Sequence, residues 1–234
     1  DEVSKLPDLQ STYSLGSGGA YSGVTSLSWG PTISSLGTIT DPLGNERPGN
    51  RIFDNVDPFF ETGHTWNNAI NIANSGELGN YAVGFSFTDQ KGVVPTTGME
   101  RYTGKVAGDY KLNEKVTLGI SANYSDIDIQ KIPGGSNLSN PLFTLYAAPR
   151  TFDLWGLPFA QPDDPYRQVN YRSAIDNPRW SLANNEFTEQ TRRIIGSSNI
   201  TYKPLDWIGI NYRFGVDYFI TNDYVFLITK SKAI

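Results

Sequence analysis

Residues 151–185 hold the side chains of this chain that are best suited to bind an organic ligand. Aromatic rings can stack on sugar rings or on peptide side chains, and this stretch combines several rings with three arginines. The candidates for contact with a ligand or a partner protein are Trp155, Tyr166, Arg167, Tyr171, Arg179 and Trp180. The alternative is that these rings form the core of a long loop.

The other motifs that could bind a metal or a cofactor, or act in catalysis, are weak. His64 is the only histidine and has no neighbours at a metal-ligand spacing. Asp126 and Asp128 lack the further oxygen ligands and the glycine turn of a calcium loop, and the DPLGNE stretch at 41–46 is no stronger. The GSGG stretch at 16–19 lacks the third glycine of GxGxxG and the lysine of a P-loop. We therefore expect no catalytic residue, cofactor or metal, and no enzyme activity.

The composition argues against further kinds of site and partner. The chain has no cysteine, so disulfide frameworks and thiolate metal sites are excluded. Its net charge is -5 and no lysine or arginine cluster stands out, which argues against a nucleic-acid partner. Aromatic residues reach 13%, with 23 glycines and 14 prolines, a mixture typical of β structure with many turns.

Strict alternation of apolar and polar residues predicts an all-β, antiparallel fold. In residues 80–89, Tyr81, Val83 and Phe85 point one way, and Gly84 and Ser86 point the other. A glycine-rich stretch near 10–29 is a less defined seventh candidate. The clearer predicted strands are 66–74, 80–89, 102–112, 116–124, 190–202 and 207–220.

This alternation leaves two architectures open. In a soluble β-sandwich the apolar face meets a second sheet, and in a transmembrane barrel it meets lipid. Three features favour the barrel: the polar faces carry small residues, apolar stretches of about ten residues can cross a bilayer, and aromatic residues lie beside the predicted short turns. Those aromatic residues are Tyr81, Tyr110, Tyr202 and Trp207.

The predicted connections also alternate between short and long. Short turns are predicted at 76–79, 113–115 and 203–206. Long connections are predicted at 30–60, 89–99 and above all 130–189. A compact soluble domain seldom holds so long a connection, whereas short turns at one end and long loops at the other are normal for outer-membrane barrels.

Four segments of the amino-acid sequence carry a resemblance to a known family. Four segments, in this order, resemble the SusC/RagA family of TonB-dependent outer-membrane transporters of Bacteroidetes. They are LPDLQSTYSLGSGGAYS (6–22), TGHTWNNAINIANSGELGNYAVGFSFTDQKGVVP (62–95), NPLFTLYAAPRTFDLWGLPF (140–159) and NPRWSLANNEFTEQTRRIIGSSNITYKPLDWIGINYRFGVD (177–217).

The resemblance implies a 22-stranded barrel that is occluded by an N-terminal plug. It implies import of oligosaccharides or peptides, a SusD-like surface lipoprotein as a lid, and energy from TonB. Residues 1–29 would be the end of the plug and the entry to the first barrel strand. Residues 30–234 would be the N-terminal part of the barrel, with long extracellular loops at about 30–60 and 130–189. TonB would contact a region that precedes these residues.

On this reading the chain is an incomplete wall of a transmembrane barrel in the outer membrane. Roughly seven strands leave two open edges, which lipid does not tolerate, so the remaining strands of the barrel and outer-membrane lipid would be its partners. Two other functions stay open at this stage: a soluble β-sandwich binding module, and a barrel that serves as a structural scaffold in a surface complex.

Overall fold

A computed structural model describes residues 9–134 except 24 and 26, residues 138–228, and residue 231. The expectations for residues 1–8, 24, 26, 135–137, 229–230 and 232–234 therefore lie outside the described residues. The chain divides into two compact units. Residues 62–131 and 187–224 form the sheet unit, and the described parts of 1–61, 132–186 and 225–234 form the connection unit.

Most of the secondary structure is β. The strands are β1 Gly16–Ser17, β2 Ala20–Tyr21, β3 Thr38–Thr40, β4 Glu46–Pro48, β5 His64–Gly76, β6 Gly79–Lys91, β7 Gly98–Asn113, β8 Val116–Lys131, β9 Ala160–Gln161, β10 Asp164–Gln168, β11 Glu186–Leu205 and β12 Ile208–Phe226. In the described part of the chain, the helices are α1 Pro141–Tyr146, α2 Pro178–Asn184 and two single-turn 3-10 helices, Ile33–Ser35 and Asp57–Phe59. Among the described residues, no helix combines the length and the apolar character that crossing a membrane requires.

One antiparallel sheet dominates the sheet unit. Its order is β12-β11-β8-β7-β6-β5, so every long strand pairs with its neighbour along the chain. The register is continuous from β5 to β11, apart from one irregularity between Lys111 and Asn113 at the end of β7. Within the described residues, strands β5 and β12 each have one neighbour, which leaves the sheet with two open edges.

The predicted strands are present, and each is longer than its sequence pattern indicated. The seventh candidate strand is wrong: residues 16–21 form the two-residue strands β1 and β2, which pair with each other, and Gly16 also forms an isolated bridge with Ser28. Gly18 and Gly19 adopt φ values of 60° and 80°, which turn the chain back before a long strand can form. The turn predicted at 203–206 lies instead at 206–207, because β11 continues to Leu205.

The connection unit holds the hydrophobic core. Two Asn-Pro pairs start its helices: Asn140 and Asn177 cap α1 and α2 through side-chain oxygens, and each proline takes a first-turn position. Trp180 is fully buried in α2, and Tyr171, nine residues earlier in the chain, is 1% exposed. Neither connection predicted at 30–60 or 130–189 is structureless, since the first contains β3 and β4 and the second both helices.

A buried carboxylate ties the core together. Asp176 is fully buried and accepts hydrogen bonds from the hydroxyls of Ser139 and Ser231 and from Gln168 Nε2, the last at 2.5 Å. These residues lie 37, 55 and 8 positions away in the chain. The network therefore joins both ends of the long connection to the last described residue.

Removing one buried hydroxyl tests this core. The Tyr171 hydroxyl donates to the Thr144 carbonyl at 2.6 Å, and Tyr171→Phe leaves that buried carbonyl without its partner. We expect a loss of about 1–3 kcal/mol in local stability. Hydrogen exchange of residues 138–184 in the full-length protein measures it. Tyr166→Phe, at a 50% exposed position, is the control, and equal effects of the two changes would contradict the packing described here.

Candidate functional site

The sheet presents an uncovered apolar face. Residues Ile72, Val83, Val106 and Ala122 stand side by side on four neighbouring strands. The face continues onto the last strand, where Ile210 and Phe214 are 54% and 58% exposed. In a β-sandwich these side chains would be buried against a second sheet, which they are not. The exposure of this face argues against the sandwich alternative.

The opposite face of the same strands is small and polar. One residue along from the apolar row stand Asn71, Gly84, Lys105 and Asn123. Several side chains on this face bond across strands: Ser121 to Ser197 at 2.8 Å, Thr191 to Thr221 at 2.9 Å, Asn211 to Thr201 at 2.9 Å, and Arg193 to Asp217 at 2.8 Å. Lys131 at the far end pairs with Glu189 and Asp223 at 2.8 and 2.9 Å. Such a face suits contact with water or with a polar protein surface.

The apolar face has a chemical boundary at each end. Near the two-residue turns, Tyr81, Tyr110, Tyr202 and Trp207 are between 42% and 79% exposed. Toward the long connections, carboxylates take over on the same face, where Asp89, Glu100 and Asp128 are paired in register on three strands. Aromatic rings at one limit and charges at the other mark out an apolar band.

Two of the predicted contact residues belong to the core of the connection unit. Tyr171 and Trp180 are buried, and the indole Nε1 of Trp180 donates to the Pro165 carbonyl at 3.0 Å. Burial raises the pKa of the Tyr171 hydroxyl, which therefore stays protonated at neutral pH. This burial supports the loop-core interpretation for both residues.

Arg179 also has a packing role. Its guanidinium donates to the Leu154 and Leu157 carbonyls at 2.8 and 3.1 Å, and it lies 5.0 Å from the ring centre of Trp155. It lies 5.4 Å from the ring centre of Phe159 as well. Burial lowers the pKa of this guanidinium, which nevertheless stays charged at neutral pH. The arginine thus links the residue 154–159 segment to α2.

The remaining three candidates are accessible. Trp155 is 37% exposed, although its Nε1 donates to the Asn55 carbonyl at 3.2 Å. Tyr166 is 50% exposed on β10, and Arg167 beside it pairs with Asp163 at 2.9 Å. These three side chains remain candidates for contact with a ligand or a partner.

The residues of the weak motifs lie in strands and turns of the fold. His64 is the first residue of β5. Asp126 lies 3.3 Å from Arg192 as a cross-strand ion pair, and Asp128 faces Glu100 on β7. Across the part of the chain that the structure describes, no group of three histidine, cysteine or acidic side chains could hold a metal ion. The GSGG stretch forms the turn between β1 and β2.

The DPLGNE stretch is the turn of the β3–β4 hairpin. Asp41 Oδ1 accepts from the backbone N–H groups of Leu43 and Asn45, each at 2.9 Å, and Arg47 Nε lies 2.6 Å from Asp41 Oδ2. Gly44 has a φ of 87°, which its missing Cβ permits. Burial alone would raise the pKa of Asp41, but the two N–H groups and Arg47 hold it below its ordinary value.

The hairpin also borders a pocket that the sequence did not reveal. The pocket has a volume of about 280 Å³ and lies between residues 15–53 and residues 151–157. Its walls come from segments about a hundred residues apart, and no local spacing marks them. The only available signal was the DPLGNE turn, whose chemistry is ordinary by itself.

Comparison with known proteins agrees with the sheet. No family model matches the chain. Over 146 residues it is 28% identical to TonB-dependent receptor P26 of Formosa agariphila, which covers 61% of this chain. The RagAB peptide importer in its closed-closed state matches 80% of the chain with a TM-score of 0.60 and 16% identity. The open-open state of the same importer matches 75% of the chain with a TM-score of 0.58 and 15% identity.

The resemblance to the SusC/RagA family is confirmed. The all-β antiparallel sheet is an unclosed section of a RagA-like barrel wall. The chain spans about 14% of the length of the Formosa receptor and about 20% of the matched RagAB chains.

The Asp41 turn gives a pH prediction. A carboxyl whose folded-state pKa is depressed adds stability above its unfolded pKa of about 3.9, and that stability is lost as the pH falls through the folded value. We expect amide protection at residues 43–45 to hold from neutral pH to about 4 and to fall below it.

The Asp41→Asn variant should lower this protection by about 1 kcal/mol at neutral pH and remove the acid-dependent step. Hydrogen exchange of the full-length protein from pH 3 to 7 measures both effects. Asp54→Asn is the control, because Asp54 makes the same kind of contact with Val56 and Asp57 away from the hairpin. An acid step that persists in Asp41→Asn would contradict the assignment.

Proposed function

We propose that this chain is a wall segment of a SusC-like, TonB-dependent importer in the outer membrane. The observation that carries the proposal is the opposite chemistry of the two sheet faces. Ile70 and Phe85, paired on β5 and β6, are 68% and 55% exposed. Lipid would cover that face, and the small polar face would line the interior that the plug occupies. The barrel fold and the similarity to a TonB-dependent receptor support this reading.

The open edges require further strands. In hydrocarbon each unpaired backbone group costs several kcal/mol, so an edge of about ten residues would cost tens of kcal/mol. β5 and β12 have such edges among the described residues. We infer that the remaining strands of a longer chain pair with both edges and close the barrel.

The two ends of the strands have different roles in this proposal. The tyrosines and Trp207 near the two-residue turns would anchor the periplasmic interface. The carboxylate row of Asp89, Glu100 and Asp128 would stand above the hydrocarbon on the extracellular side. The 132–185 connection would then be extracellular, as expected for a barrel with its long loops outside.

The accessible part of the connection unit is the proposed contact surface. Trp155, Tyr166 and Arg167 would meet the substrate or a SusD-like surface lipoprotein that closes over the barrel. The similar solved structures are of an importer of peptides. Peptides or oligosaccharides are the substrate classes that we propose for the full protein.

Uptake by the whole protein tests the function. Cells that carry the full-length protein in the outer membrane, together with the SusD-like surface lipoprotein proposed as its partner, should accumulate labelled peptides or oligosaccharides only when TonB is present. Uptake without TonB, or a full-length protein that folds and stays soluble without detergent, would overturn the proposal.

Adjacent residues with opposite orientation test the membrane face. Ile70→Arg should destabilise the inserted protein by about 2–4 kcal/mol, because arginine near the bilayer midplane is costly. Asn71→Arg on the polar face is the matched control and should cost much less. Folding of the full-length variants into lipid vesicles, measured against urea, compares them. A larger loss for Asn71→Arg would reverse the assignment of the faces.

A second substitution tests the contact surface. Tyr166→Ala should weaken binding of the lipoprotein or substrate about tenfold, since exposed tyrosines often dominate contact energies. Tyr146→Ala, at a 41% exposed aromatic position of the same unit, is the control. Binding of the full-length protein to each candidate partner is the measurement. An unchanged affinity for both partners would remove Tyr166 from the proposed surface.

A further inference from the structure

The pocket beside the β3–β4 hairpin is a preformed cavity within the connection unit. It is lined by the hairpin, by the segment that follows it, and by residues 151–157. A volume of about 280 Å³ is small for a ligand site and suits one bulky side chain with a few polar atoms. Its apolar walls are Leu15, Ile39, Phe53, Phe152 and Leu157.

An internal ion-pair network occupies both acidic residues of the pocket. Arg47 lies 2.6 Å from Asp41 and 3.6 Å from Asp153, and it bridges the hairpin and the 151–157 segment. The other oxygen of Asp153 accepts from the Gly156 N–H at 2.6 Å. Because both carboxylates form ion pairs with Arg47, they stabilise the walls and are poorly placed to bind sugar hydroxyls as well.

The Thr151 hydroxyl and the Arg51 guanidinium line the pocket without a partner in the part of the chain that the structure describes. Thr151 is 7% exposed, and its hydroxyl makes no hydrogen bond there. Buried hydroxyls are normally satisfied, so an unsatisfied one indicates a missing partner. Arg51 lines the same pocket, is exposed, and makes no ion pair among the described residues. These two groups can therefore bind polar atoms of a ligand beside the apolar wall.

We propose that this pocket binds an apolar group that carries a carboxylate, as found at the C-terminal end of a peptide with an apolar last residue. The apolar side chain packs against Phe53 and Phe152, the carboxylate pairs with Arg51, and the Thr151 hydroxyl bonds a neighbouring polar atom. A free peptide and the chain terminus of a partner protein offer the same chemistry. The pocket requires no membrane placement, so its failure would leave the proposed function standing.

Paired peptides test the carboxylate. The full-length protein in detergent is titrated with Gly-Gly-Phe and with Gly-Gly-Phe amide in a calorimeter. We expect the acid to bind about tenfold more tightly than the amide, because a charge-assisted bond to arginine is stronger than a neutral one. Equal affinities, or no binding of either peptide, would overturn the proposal.

Two conservative variants locate the site. Arg51→Gln should weaken binding of the acid about tenfold and change that of the amide less than twofold. Thr151→Val keeps the side-chain shape and should weaken both peptides about fivefold. Lys115→Gln removes one positive charge at a turn of the sheet unit and is the control, with an expected change below twofold. Binding that is insensitive to Arg51→Gln would show that the peptides bind elsewhere and would overturn the site.

A competition experiment distinguishes the two sources of the carboxylate. The titration is repeated with the surface lipoprotein present, either intact or without its last three residues. Competition by the intact lipoprotein alone identifies its terminus as the occupant, and equal peptide binding in both cases identifies a free peptide. Either result supports the pocket chemistry.

Discussion

Backbone pairing across the six long strands is the constraint on which this molecule depends. Every inner strand uses its N–H and C=O groups on both sides, and the continuous register keeps alternate side chains in line from β5 to β11. The apolar and polar faces exist only because of that alignment. A shift of one residue in any strand would place its apolar residues among the polar ones, so the register and the two faces specify each other.

The two units are stabilised by different physics. In the connection unit, rings such as Trp180 and Tyr171 are withdrawn from solvent, and buried polar groups such as Asp176 are hydrogen-bonded. The sheet unit keeps its large apolar side chains on the outside, which in water would be unfavourable. A bilayer, as in the proposed function, would remove this penalty, and the opposite face carries ion pairs such as Arg193 with Asp217. The connection unit thus buries its apolar side chains as water-soluble proteins do, whereas the sheet unit exposes them.

The long strands were predictable because period-two alternation is a local property of the sequence. The stretch at 10–29 was not, because its glycines allow several conformations and nothing local selects the β1–β2 hairpin. The interior of the 151–185 segment was also hidden, since aromatic residues look alike whether they bind or pack. The contacts of this segment join distant parts of the chain, as the hydrogen bond from the Leu154 N–H to Asn55 does across 99 residues. The pocket depends on similarly distant neighbours.

The unequal connections shape how the sheet can assemble. Three hairpins close over two-residue turns, whereas β11 meets β8 only after 54 intervening residues. For a flexible loop that difference costs about 3 kcal/mol in closure entropy and slows the search for the correct partner. The connection, however, is closed near its own two ends, because the Ser181 hydroxyl donates to the Ser139 carbonyl at 2.7 Å. Once this hydrogen bond has formed, the flexible loop between β8 and β11 is effectively shorter, and the pairing of these two strands becomes nearly local.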